Sequence, residues 1–279
     1  MTDVICHDYR IPVSIGETIT LWGMFDLHMD NSSCDTPKLK QDLQAIIDNP
    51  KAYAVCGGDT LDMMFAKFDP RAYPKMLQPH IEASDNPADV AVEYAVEMLK
   101  PLAETGRLIG MMIGNHEQTY CDRHKTNVIK RICSLLNVPY LGYECFLRLF
   151  FDYGKDGYSP SVRVVRGYLH HGFGGGSPVT KGMIQLERTL GGLQNIDFVM
   201  MGHIHKQTFA QEYMRGVTGM FGKGKVAIRS MALAICGGYK FRSDWEVSKG
   251  SRLGAIGAGR IYFDAESGGS GMKIVTRVN

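Results

Sequence analysis

No stretch of this 279-residue chain approaches the ~18–20 consecutive apolar residues that a membrane-spanning helix requires. The opening residues, MTDVICHDYRIPVS, lack both a basic start and an apolar core, so no secretory leader is expected. C-x-x-C spacing is also missing. The seven cysteines (Cys6, Cys34, Cys56, Cys121, Cys133, Cys145 and Cys236) are odd in number and far apart, which argues against a disulfide framework and a thiolate zinc site. Most lie in apolar runs, where a free thiol packs as a small hydrophobe. Reduced cysteines in a cytoplasmic protein are therefore expected. The formal net charge is only +2, so the chain as a whole has no charge bias that names a partner. Neither an internal repeat nor a linker-like stretch interrupts it. Residues 1–279 read as a single domain, with 206–279 a β-rich continuation.

What is present is ordinary globular composition, 44% hydrophobic and 22% charged. Its pattern is informative. Ile15 to Met24 reads as a strand and leads into Asp26-Leu27-His28. A helical spacing over Lys38 to Asp48 follows, with Leu39, Leu43, Ile46 and Ile47 apolar. Ala52 to Cys56 is a short buried strand running into Gly57-Gly58-Asp59-Thr60-Leu61-Asp62. Met63 to Pro87 is irregular and carries Pro70, Pro74, Pro79 and Pro87, as a lid or a surface excursion would. Ala88 to Lys100 is helical and expected to close at Pro101. Leu108 to Ile113 is a third strand, ending in Gly114-Asn115-His116-Glu117. A helix from Asn127 to Leu136, capped by Asn127, precedes a short strand at Val138 to Leu141.

Strand, polar tip and helix thus recur three times, the pattern of parallel βαβ units with polar groups at the carboxyl ends of strands. Open α/β sheets bind ligands at that edge. From Cys145 onward strands dominate. CFLRLFFDY and SVRVVRGYLHHG form a pair, the second ending in His170-His171-Gly172. A helix from Thr180 to Leu190 is followed by the strand Ile196 to Met201, which ends in Gly202-His203-Ile204-His205. Gln207 to Met214, Lys225 to Cys236, Gly259 to Asp264 and Met272 to Val278 complete the strands.

Five strand ends therefore carry ligand-type residues: Asp26/His28, Asp59, Asn115/His116, His170 or His171, and His203/His205. Asp and Asn are also common turn formers, so each tip alone has a plain structural explanation. Together they supply more nitrogen and oxygen ligands than one tetrahedral zinc takes. That suits two metals held close together, with Asp59 as the central carboxylate.

In this order Asp-x-His, Gly-Asp-x-x-Asp, Gly-Asn-His-Glu, His-Gly and Gly-His-x-His resemble the signatures of the calcineurin-like metallophosphoesterases, over residues 26 to 205. The resemblance implies a four-layer α/β/β/α sandwich of two mixed sheets flanked by helices. It assigns Asp26, His28 and His205 to one divalent metal and Asn115, His171 and His203 to the other, with Asp59 bridging. It makes His116 the general acid or a donor to the leaving oxygen, puts Asp62 behind the ligands, and has Glu117 brace the Gly-Asn-His turn. Of the adjacent pair only one histidine faces the metals, and a ligand directly before Gly favours His171 over His170. Manganese, iron or zinc fit a site without thiolate, manganese foremost. The implied reaction is hydrolysis of a phosphoester by metal-activated hydroxide.

Met63 follows Asp62 where phosphoprotein phosphatases of this superfamily carry Arg, and Met29 follows His28 where they carry Gly. The short Asp-Leu-His form is closer to the phosphodiesterase and nuclease-like branches. A phosphodiester in a nucleic acid or nucleotide is thus the expected substrate. The alternatives are a small phosphomonoester or a non-catalytic scaffold on the same fold. Residues 206 to 260 hold ten Lys/Arg against three acids, a net +7 that either guides a polyanion or is a solvated sheet face. Gly172 to Gly176 either present backbone N–H groups to a phosphate or only connect. Arg123 and His124 are candidate substrate-side groups.

Overall fold

The computed structural model describes residues 4–65, 72, 75–155, 158–175, 177, 179–218, 224–241, 250, 254–268 and 271–278. In chain order the elements are β1 (Ile5–Pro12), β2 (Thr18–Met24), α1 (Thr36–Asp48), β3 (Ala52–Gly57), α2 (Pro79–Glu82), α3 (Pro87–Glu104), β4 (Leu108–Met112), α4 (Asn115–His124) and α5 (Val128–Leu136). Then come β5 (Glu144–Lys155), β6 (Tyr158–His170), α6 (Met183–Leu190), β7 (Phe198–Met201), β8 (Thr208–Thr218), β9 (Lys225–Ile235), β10 (Gly259–Gly268) and β11 (Gly271–Val278). No helix among the described residues is long and apolar enough to cross a membrane.

The strands form two mixed sheets. In the five-stranded sheet, ordered β11-β10-β2-β3-β4, the three βα strands β2, β3 and β4 run parallel up to one edge, and β10 and β11 are antiparallel additions at the other. The six-stranded sheet is ordered β1-β5-β6-β7-β9-β8. The C-terminal strands are therefore not one layer: β8 and β9 extend one sheet, and β10 and β11 extend the other.

Three apolar clusters hold the layers together. Leu39 and Leu43 of α1, Ala95 and Leu99 of α3 and Ile132 of α5 pack on the outer face of the five-stranded sheet, against Ala54, Cys56 and Met111. The inner faces of the two sheets share a second cluster, with Leu21, Val55 and Phe263 from one and Leu149, Leu169 and Phe198 from the other. On the outer face of the six-stranded sheet, Leu186 of α6 meets Tyr168, Val199 and Leu233. The ring of Phe198 is fully buried and lies 5.5 Å from that of Phe263. Phe198→Ala should therefore cost about 3–5 kcal/mol, read as a lower urea midpoint at unchanged slope.

Most expected elements are present, with three corrections. First, α3 does not close at Pro101 but runs one turn further to Glu104. The proline forfeits one backbone bond, yet Leu99 and Leu102 are both fully buried, and that packing holds the last turn in place. Second, residues Val138 to Leu141 make only a bridge from Tyr140 to Met111, being too short to ladder. Third, the helix expected from Thr180 starts at Met183, because Gly182 at φ +90° turns the chain just before it. One strand was unforeseen. The sequence ICHDYRIP of β1 pairs only with β5, at the edge of its sheet, and its side chains are mostly half-exposed. It therefore carries little hydrophobic signal.

Candidate metal centre

The ligand-type residues stand just past the carboxyl ends of β2, β3, β4, β6 and β7. They are not aimed by the alternation of an extended strand. Asp26, His28, Asp59, His203 and His205 all have left-handed backbones, with φ between +46° and +72°. Asp and His tolerate this region better than most residues, but each such position still costs on the order of 1 kcal/mol. The turns that impose it are held by the chain. Asp26 N–H donates to Gly58 O (3.1 Å), His28 N–H to Asp59 O (3.0 Å) and Met29 N–H to Thr60 O (2.9 Å), so residues 26–29 and 58–60 continue the β2–β3 pairing past the strands. Phe25, fully buried, is the wedge beneath them. A side chain at Gly57 or Gly202 would run into its ring, so both tips must pass it as glycine.

Three groups of side chains converge; one of them, His28, Asp62 and His116, shares His28 with the first of the two described next. In the first, potential ligand atoms of Asp26, His28 and His205 all lie within 4.8 Å of one another. The His28 and His205 rings stack, with their Nε2 atoms 3.2 Å apart. Asp26 spends one oxygen on the His203 N–H (2.7 Å), while its Oδ1 is buried without a hydrogen-bond partner among the described residues. An orphaned carboxylate oxygen facing two clustered imidazole nitrogens suits a cation. In the second group Asp59, His171 and His203 converge within the same limit. Asn115 Oδ1 lies 3.0 Å from His171 Nε2 and 2.7 Å from His203 Nδ1, and His171 Nε2 lies 3.3 Å from Asp59 Oδ2. The donors are carboxylate, amide and imidazole throughout, the set that suits manganese, iron or zinc.

The adjacent histidines part company. His171 is fully buried in the second group, with Nδ1 3.0 Å from Gly57 O. His170 instead accepts the Gly172 N–H at Nδ1 (2.8 Å). His116 opens α4 beside Asn115, its N–H donating to Asp59 Oδ1 (3.0 Å) and its Nδ1 2.9 Å from Asp62 Oδ1. Asp62 also lies 2.6 Å from His28 Nδ1, so it backs both rings. Glu117 accepts backbone N–H groups from Asp59 (3.1 Å), Leu61 (2.9 Å) and Gly114 (2.9 Å), tying the β3 tip to the start of α4. Arg123 and His124 are not gathered here. They are exposed on the last turn of α4, roughly 10–12 Å along its axis from His116.

Two other expectations change. The Gly172 N–H is taken by His170 and its carbonyl accepts the Tyr143 hydroxyl (3.1 Å), so Gly172 has no N–H to offer a phosphate. Gly176 lies outside the described residues. The basic excess of 206–260 is dispersed: Arg229 binds Asp197, Arg260 lies over the Trp22 ring, and Lys240 turns inward to Asp62. Lys223, Arg242, Lys249 and Arg252 lie outside the described residues.

Lys240 is the main residue that sequence reasoning missed as part of the site. Its Nζ lies 3.2 Å from Asp62 Oδ2, and Asn31 Nδ2 donates to the same oxygen. Asp30, also buried, accepts the N–H of Asp62 (2.6 Å) and of Met63 (2.9 Å). The available signal was Gly237-Gly238 at the end of β9, the same strand-then-glycine signature as the other tips. Gly238 abuts His205 and Asp26, where an added Cβ would come within 2.9 Å of His205 Nδ1.

Burial sets the electrostatics. It raises the Asp26 carboxyl to about 7, with Asp59 adding to the rise, and raises Glu117 to about 8. Burial alone would also raise Asp59 and Asp62. Instead His171 and His116 hold Asp59 well below the usual carboxylate range, and His28 and Lys240 do the same for Asp62. Burial works against the charged form of His171, but Asp59 outweighs it and carries the ring to about 9. His205 is pushed far down by burial, His28 and Lys240. Without metal the site thus keeps His171 protonated and Asp26 partly protonated at neutral pH, and a cation would have to displace those protons. Both groups ligate only when deprotonated, so affinity should rise with pH. Apparent Mn²⁺ affinity is expected to increase about tenfold or more from pH 6 to pH 8. Calorimetry in buffers of different ionisation enthalpy should show net proton release, and a pH-independent affinity would contradict this.

Neither the protein-family models nor the curated proteins give a match to this chain.

Proposed function

We propose that this chain is a dinuclear metal-dependent phosphoesterase that hydrolyses a phosphodiester of a nucleic acid or nucleotide. The observation that carries the reading is the convergence of seven residues from five strand ends, Asp26, His28, Asp59, Asn115, His171, His203 and His205, into two adjoining ligand groups with His116 at their border. The stacking of helices, five-stranded sheet, six-stranded sheet and α6 agrees with the four-layer sandwich of the calcineurin-like metallophosphoesterases. Met63, buried behind Asp62, stands where a phosphate-gripping arginine would mark a phosphoprotein phosphatase.

In this reading Asp26, His28 and His205 would hold one divalent metal and Asn115, His171 and His203 the other, with Asp59 shared. The chemistry supplied at such a site would be the acidification of water and the neutralisation of charge on phosphoryl oxygens. The protein's own groups do the rest. His116 Nδ1 lies 2.9 Å from Asp62 Oδ1, a charge contact that sets the ring with Nε2 toward Asp59 Oδ2 at 3.8 Å, the border of the two groups. From there protonated His116 gives its proton to the departing alkoxide. Lys240 balances the charge of Asp62 without reaching the reacting atoms. Glu117 keeps Asp59 and Asn115 in register through the backbone.

The test is direct. The chelator-stripped chain is reconstituted with Mn²⁺ and offered bis(4-nitrophenyl) phosphate and 4-nitrophenyl phosphate. Metal-dependent cleavage, faster on the diester, is expected. Preference for the monoester would move the substrate class, and inactivity on both with two metals bound would overturn the reading.

A further inference from the structure

A second feature lies at the other end of the six-stranded sheet. β7 has only four residues, whereas its neighbours β6 and β9 have 13 and 11. Pairing through β7 joins Gly167–His170 of β6 to Ala232–Ile235 of β9. Toward their amino ends β6 and β9 run on, and no described strand lies between them. The gap begins at Asp197, whose N–H donates to Arg166 O (2.7 Å) and whose carbonyl accepts the Ala232 N–H (3.0 Å). Backbone hydrogen-bonding direction alternates along a strand. If Arg166 and Ala232 face β7, then Val162 and Val164 of β6 and Ile228 and Ser230 of β9 face the gap. β11, the edge strand of the other sheet, forms its floor from Met272 to Thr276.

The result is a cleft of about 670 Å³ with strand edges on both sides. Adjacent strands lie about 4.8 Å apart, so a gap between second neighbours admits one extended chain. Its lining carries Arg163, Arg166, Arg229 and Lys273 against a single carboxylate, Asp197. Asp197 orients two of these cations, accepting from Arg229 Nη2 at 2.6 Å with Arg166 Nη1 at 3.9 Å, and Arg163 Nε is anchored on Met272 O at 2.5 Å. The cations are therefore held in the lining, Arg163 and Lys273 at the floor and Arg166 and Arg229 about Asp197, with an excess of positive charge. Tyr213 and Ile228, on one face of the β8–β9 hairpin, supply apolar surface and are 67% and 64% exposed. The cleft is distinct from the metal centre, since Arg163 and His171 are separated by roughly 26 Å of strand.

We propose that this cleft binds an extended acidic peptide segment of a partner protein, which enters as an added strand between β6 and β9. Backbone pairing supplies affinity in such strand addition, and the lining selects side chains. Here the cations select carboxylates, while Tyr213 and Ile228 accept apolar residues at alternate positions. Nucleic acid would satisfy the charge but not the two strand edges.

The test uses the full chain and fluorescein-labelled probes in anisotropy titrations. The probes are a ten-residue peptide of alternating Glu and Val, the same peptide N-methylated at alternate amides, its Lys-for-Glu counterpart, and a single-stranded DNA decamer. The Glu peptide alone should bind, and 0.5 M salt should weaken it. Arg163→Glu with Lys273→Glu should weaken it at least tenfold while leaving metal-dependent hydrolysis and the melting temperature unchanged. Should that double variant unfold, Ser230→Pro, which removes one edge N–H, provides the second reading and should also abolish binding. Equal binding of the N-methylated peptide would show charge alone at work and overturn the proposal. So would binding of DNA in place of the peptide, or no binding of the Glu peptide.

Discussion

Asp59→Asn is expected to lower kcat on the order of 10³-fold, with bound metal falling from two ions toward one. The side chain keeps its shape but loses the charge that joins the two ligand groups. Asp59 is the carboxylate of the second group, with His171 Nε2 at 3.3 Å and His116 Nε2 at 3.8 Å from the same oxygen. If Asp59 joins the two proposed metals, the loss corresponds to about 4 kcal/mol of transition-state stabilisation, or roughly three orders of magnitude in rate. The fold should survive, since Asn still accepts the His116 N–H at Oδ1. Rate, metal content by elemental analysis and far-ultraviolet dichroism together decide the matter. Full activity with both metals retained would remove Asp59 from the proposed centre.

His116→Ala should behave differently. Its metal content should be unchanged if the metals take the two groups proposed, since His116 faces Asp62 in the third group and shares only His28 with the first. Its kcat should fall about 10²–10⁴-fold on substrates with a poor leaving group. With 4-nitrophenolate, which departs without a proton, the loss should be much smaller. Wild type and variant are therefore compared on a dinucleotide and on bis(4-nitrophenyl) phosphate. A loss equal on both would assign His116 to binding rather than to proton donation. Asp62→Asn should resemble a weaker form of the same defect, since it disturbs the tautomer of His116 and also loosens His28.

The five tips were legible because each couples an apolar run, a glycine and a ligand-type residue, and the chain must turn sharply there. The reason those side chains converge was not legible. Strand alternation would send Asp26 with His28 and His203 with His205, whereas left-handed residues aim them and part His203 from His205. Such conformations depend on tertiary bonds, such as Asp26 N–H to Gly58 O, that no local pattern announces. That His171, and not His170, lies beside Asp59 and Asn115 follows from packing between the two sheets, which a local pattern does not carry. Lys240 escaped because its charge reads as surface until Asp62 is found beside it. Pro101 misled because a local helix breaker was outweighed by the burial of Leu99 and Leu102.

The placement of β1 has a consequence for how the chain comes to be folded. Of the described strands it is the earliest in the chain, yet its partner β5 pairs Ile5 with Cys145 and Pro12 with Asp152. Nothing in the intervening five-stranded sheet offers it a ladder. On a ribosome extending the chain at roughly 5–20 residues per second, residues 5–12 wait on the order of ten seconds or more as an unpaired edge. Long-range closures of this kind slow folding, and an exposed strand edge is also where chains pair wrongly with one another. The alternate exposed charges of β1, Asp8 and Arg10, guard that interval. They later meet Arg148 and Asp152 across the finished sheet, so the residues that keep the young chain soluble also fix its final register.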